Sequence, residues 1–119
     1  MAGIDNPSMK SAGIACLFAI ALGAAPAARA AAYTITAEMW MQPRSGAVML
    51  QMAPVRAAVN DWMRHPGSQL VILHSGDDMG SLWASEVQDW LVSLGIPSTD
   101  IQKRVSGQDE NSVTLMVER

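Results

Sequence analysis

Residues 33–41 alternate in character, with Thr34, Thr36 and Glu38 set between Ile35, Ala37 and Met39, and this period of two predicts a half-buried strand. Gln42-Pro43-Arg44-Ser45-Gly46 follows, and its proline and glycine predict a turn or short loop. Between residues 47 and 65, Val48, Met52, Val55, Val59, Trp62 and Met63 recur at helical intervals. They predict a helix whose continuous part starts near Ala53, because Pro54 is tolerated best in a first turn. Pro66-Gly67 ends it.

Residues 70–73 form an unbroken apolar run, which predicts a central strand with neighbours on both sides. The next stretch, residues 74–80, is rich in turn formers and acid and predicts a loop, with Ser81 as the hydroxyl cap of a second helix. Trp83, Val87, Trp90, Leu91 and Leu94 give that helix one apolar face, opposite Glu86 and Asp89. Gly95, Ile96 and Pro97 form a helix-exit signature. Two alternating segments, 101–106 and 112–118, then predict a closing hairpin around residues 107–111. The resulting order is βαβαββ, and two helices with a single apolar stripe each call for a sheet to bury them. The fold class this implies is α/β (α+β), a two-layer sandwich with two helices on one face of a four-stranded mixed sheet.

The first thirty residues follow a different rule. Lys10 precedes an apolar, small-residue run over 14–25, and Ala28-Arg29-Ala30 supplies the small residues a signal peptidase accepts. Residues 1–30 are therefore expected to be a cleaved signal peptide, and 31–119 a single exported domain. A retained membrane span needs roughly 20 apolar residues, but this run is shorter and is broken by Gly23, Pro26 and Arg29. Cys16 lies inside the run, where a lipoprotein cysteine would follow it. The expected destination is a bacterial periplasm, with secretion as the lesser alternative and no stable membrane anchor after cleavage.

Cleavage changes the chemistry that remains. The one cysteine leaves with the leader, so thiolate metal sites, disulfides and cysteine nucleophiles are all excluded from 31–119. Lys10, Arg29 and Asp5 leave too, and the formal charge moves from -3 to -4 with no basic cluster remaining. Nucleic acid is a poor partner for such a surface.

The strand followed by Asp77-Asp78-Met79-Gly80 resembles the strand and Asp-x-x-Gly turn of the OmpA-like periplasmic domain, and Ser93-Leu94-Gly95-Ile96-Pro97 resembles that family's helix exit. The likeness spans about 33–118. It implies an envelope module that holds peptidoglycan, with Asp77 at the family's acidic position. The family's partner arginine sits in an Asn-x-x-Leu-Ser-x-x-Arg-Ala helix, whereas residues 82–90 here contain no asparagine, arginine or Leu-Ser pair. A ligand carboxylate would thus lack its planar guanidinium partner.

The candidate ligand-binding residues are Asp77, Asp78, His74 and Arg44. The two aspartates follow a strand and precede a helix N-terminus, where acids also serve simply as caps. His74 borders the same loop and could move a proton or stay hydrogen-bonded. Arg44, beside Pro43, suits an anion or carboxylate. No nucleophile-base pair, phosphate loop or His-x-His spacing is present, so neither catalysis nor a cofactor is expected. A second reading uses the thioethers of Met39, Met41, Met49 and Met52 for Cu(I) or Ag(I), with Met39 and Met41 on one strand face; methionine is equally a core filler. The leading expectation is a non-catalytic binding or scaffold module for an envelope protein or peptidoglycan component.

Overall fold

A computed structural model describes residues 31–107 and 109–119, so the predicted signal peptide and Cys16 lie outside the described residues. The apolar run near residue 70 becomes strand β2, Gln69–His74, and it lies inside a four-stranded sheet. The other strands are β1 (Ala32–Thr36), β3 (Ile101–Val105) and β4 (Ser112–Glu118), in the spatial order β1-β4-β2-β3. β4 runs antiparallel to both β1 and β2, while β2 and β3 are parallel. This is the predicted α+β class with a mixed sheet.

One pairing differs from expectation. β3 and β4 are not a hairpin, because β4 passes β3 and fills the gap between β1 and β2. Its burial fits that inner place: Thr114 on the open face is buried as well as Val113, Leu115 and Val117 on the helix face, whereas β3 is largely exposed. β3 takes the edge instead and carries Gln102, Lys103 and Arg104.

The helices are α1 (Ala37–Trp40), α2 (Gly46–Gln51), α3 (Ala53–Met63) and α4 (Asp78–Ser93). The predicted first helix is α2 and α3 with a break at Met52, whose backbone is extended. Pro54 causes the break, since in a continuous helix its ring would meet the Leu50 carbonyl; the break moves it into the first turn of α3.

The first strand is shorter than its alternation suggests. Thr36 accepts a hydrogen bond from the Met39 amide at 3.3 Å, and the Ala37 amide donates to the Asn111 carbonyl at 2.9 Å. Residues 37–40 therefore turn into α1, and Met39 and Met41 share no strand face.

On one sheet face Ile35, Leu70, Ile72, Ile101, Val113 and Leu115 meet Trp40, Met49, Met52, Val55, Ala58, Ala84, Val87 and Leu91 from the helices. Full burial of a leucine or isoleucine stabilises by roughly 1.5–3 kcal/mol. The opposite face carries Thr34, Thr114, Gln102, Arg104 and Glu118. Register places Arg104 beside Leu73 and Glu118 beside Gln69, so their ion pair crosses β2 over Val71, which is fully buried. Two bonds of 2.8 and 3.1 Å hold that strap. The bonded guanidinium lowers the Glu118 pKa against partial desolvation.

Candidate functional site

Asp77 is the N-cap of α4, so the helix begins at Asp78 and not behind Ser81. Its Oδ1 accepts from the Ser75 hydroxyl at 2.7 Å and from the Gly80 amide at 2.8 Å. These two bonds, the hydroxyl's first, lower its pKa. Gly80 has no room for a side chain: a Cβ there would lie 2.6 Å from the Ser75 carbonyl oxygen and 2.8 Å from Asp77 Oδ1. The Asp-x-x-Gly turn is thus a closed cap, with the aspartate already engaged by its own backbone.

His74 is the last residue of β2 and is buried, and its Nδ1 lies 2.8 Å from the Ser75 carbonyl. A carbonyl can only accept, so Nδ1 carries the proton. Asp78 is exposed in the first turn of α4, where a carboxylate is favoured by the helix dipole. Neither residue, nor Asp77, lines either of the two clefts described below.

Arg44 lies elsewhere, and its setting is more informative. Its Nε donates to Glu86 Oε2 at 2.7 Å, its Nη1 donates to the Trp40 carbonyl at 2.6 Å, and its guanidinium stands 4.9 Å from the Trp40 ring centre. The expected carboxylate contact is therefore met inside the chain. The arginine ties the loop after α1 to the side of α4.

Between those elements runs a cleft of about 310 Å³ lined by Trp40, Met41, Arg44, Met79, Leu82, Trp83, Glu86, Ala37 and Glu110. Trp40 and Trp83 form its floor with ring centres 6.1 Å apart and planes tilted by 40°. The Trp83 indole N–H is buried and has no hydrogen-bond partner. Met41 is 80 % exposed, Met79 70 % and Leu82 66 %, although all three are apolar. An opening of this size accepts one or two bulky side chains.

The four methionines of the soft-metal reading are distributed, not gathered. Met49 is 1 % exposed and Met52 8 %, both within the core. Met39 and Met52 line a separate cleft of about 300 Å³ with Gln42, Val48, Gln51 and Ala53, while Met41 faces the tryptophan cleft. Among the described residues no group of three or more histidine, cysteine or acidic side chains is placed to hold a metal ion.

Sequence periodicity assigned Trp83 to the core stripe of α4 and left Met79 and Leu82 unexplained. A signal was present: Met79, Leu82 and Trp83 recur at helical spacing as a second, narrower apolar line that ends at Glu86. What lay beyond reach was the arrival of α1 and Arg44 opposite it. No protein-family model, curated protein or solved structure matches the chain.

Proposed function

We propose that this chain is an exported, non-catalytic binding module of the bacterial cell envelope, and that it docks an apolar segment of a protein partner in the Trp40–Trp83 cleft. The observation that carries this reading is the cleft itself, where Met41 at the end of α1 meets Met79 and Leu82 of α4 and all three remain uncovered. Leaving such side chains in water costs burial energy that a partner would recover. Methionines suit the role because three rotatable bonds let them follow the shape of what binds.

A protein is a better occupant than a peptidoglycan stem under this proposal. Asp77, the acidic residue of the OmpA-like likeness, already accepts two internal hydrogen bonds, and the matching arginine is missing from α4. Export rests on the leader pattern in residues 1–30. Among the described residues no helix is long and apolar enough to cross a membrane.

Photo-crosslinking in intact cells tests both parts. A photoreactive residue at Leu82 is expected to trap an envelope protein, whereas one at Val92, exposed on the same helix away from the cleft, is not. The recovered chain is expected in the periplasm and to begin at Ala31. Equal trapping from both positions overturns the docking site, and an uncleaved cytoplasmic chain overturns export.

A further inference from the structure

The cleft has a charge as well as a shape. Glu86 and Glu110 line it, while Glu38, Asp78 and Asp109 each stand next in sequence to a lining residue. Glu38, Asp78, Asp109 and Glu110 are exposed. Arg44 is the one cation that lines the cleft, and it is already bonded to Glu86 and the Trp40 carbonyl. Of the remaining cations of residues 31–119, Arg56 and Arg64 lie on or beside α3, Arg104 on β3 and Arg119 at the end of the chain, while Lys103 reaches from β3 to α4, where its Nζ donates to the Ser85 hydroxyl at 3.1 Å, next to Glu86. The lining thus combines two tryptophans with two carboxylates and one arginine, a net negative charge.

The Trp40 face is already taken by Arg44, whose guanidinium stands at 4.9 Å in a cation–π contact, so a cation of the occupant is left with Glu110 at the rim. Trp83 lies beside Trp40 with its ring 6.1 Å away. Glu110, exposed at the rim, is placed to meet an ammonium or guanidinium at the edge of whatever fills the cleft.

Building on the docking reading above, we infer that the cleft selects a cationic amphipathic polypeptide segment, one or two aliphatic side chains flanked by lysine or arginine. An aliphatic residue fills the space between Met41, Met79 and Leu82. The flanking cations answer the net negative charge of the lining, Glu110 at the rim above all, and supply orientation and encounter rate. The same charge disfavours anionic lipid and acidic peptides, which separates this occupant from a membrane surface.

The probes are two designed helical peptides of identical leucine pattern, one with lysine and one with glutamate at every polar position, titrated into the purified chain by calorimetry at low salt. The lysine peptide is expected to bind at least about tenfold more tightly, and to weaken as salt is raised. Met79→Asp, at a solvent-exposed position, is expected to abolish binding, and Glu110→Lys to weaken the lysine peptide about fivefold. Met63→Asp, at an exposed methionine outside the cleft, is expected to leave it unchanged. Far-ultraviolet circular dichroism checks that each variant is folded, with Met79→Gln as the milder substitute.

Equal binding of both peptides, lost in Met79→Asp, keeps the docking cleft and overturns the charge selection. Binding that survives Met79→Asp, or falls equally in Met63→Asp, overturns the cleft as well. Sedimentation with phosphatidylglycerol vesicles that depends on Met79 makes the occupant a membrane and overturns the inference.

Discussion

Asp77 shows how one residue can satisfy two very different expectations. Its place after the central strand suits a ligand contact, and the same place suits a helix cap; the bonds from Ser75 and the Gly80 amide give the cap its role. Both bonds favour the ionised form, so the folded-state pKa lies below the ordinary 3.8. A carboxylate depressed by folding stabilises above its unfolded pKa, and that contribution is lost as pH falls through the lower folded value. Urea unfolding across a pH series is therefore expected to show stability dropping below about pH 4, with a shallower drop in Asp77→Asn, which keeps a capping oxygen. Glu118 has the same sign, and Glu118→Gln is expected to remove its own share. Tyr33 acts on the alkaline side: desolvation, then its 2.9 Å bond to Asp61, raise its pKa, so its contribution is present below pH 10 and lost above the raised value.

The elements most legible in sequence were those whose pattern and punctuation agreed. β2 had an unbroken apolar run, and α4 had both a stripe and a glycine stop. At Gly95 the backbone has φ of 109°, a conformation that only glycine adopts without strain, and the Ile96 amide returns to the Leu91 carbonyl at 3.1 Å. Gly95→Ala is expected to destabilise the fold by about 1–2 kcal/mol in denaturant titration, with an unchanged spectrum. Two element-level expectations gave way to information from elsewhere in the chain. Strand alternation continued past Thr36, but a hydroxyl cap and the Asn111 carbonyl favoured α1. The apparent hairpin at the C-terminus had the right strands and the wrong partner: β4 lies between β1 and β2, with residues buried on both of its faces, and β3 takes the edge beside β2. Local pattern records which face of a strand is buried and says nothing of which strand lies beside it.

For the whole molecule, the two layers leave different surfaces exposed. The open sheet face is largely polar and is closed over Val71 by the Arg104–Glu118 strap. At the other side, α1 and α4 leave apolar side chains uncovered beside Glu86 and Glu110. Of the residues singled out from sequence, Arg44 belongs to this cleft by its bonds to Glu86 and Trp40, and Met41 by its exposure. Asp77 and His74 belong to the helix start. Met79, Leu82 and Trp83 could not be joined to Trp40 from sequence, since about forty residues separate them and only the folded sheet brings α1 beside α4. The likeness to an OmpA-like domain remains part of the proposal for compartment and partner class, while the cleft supplies the proposed contact.

Amide chemical shifts of the labelled chain, followed during titration with the lysine-leucine peptide, test the docking cleft most directly. Changes are expected to concentrate in residues 37–44 and 79–86 and at Glu110, with residues 69–74 and 102–104 of the sheet unmoved. Changes centred on the open face, or no localised changes at saturating peptide, would contradict the docking cleft.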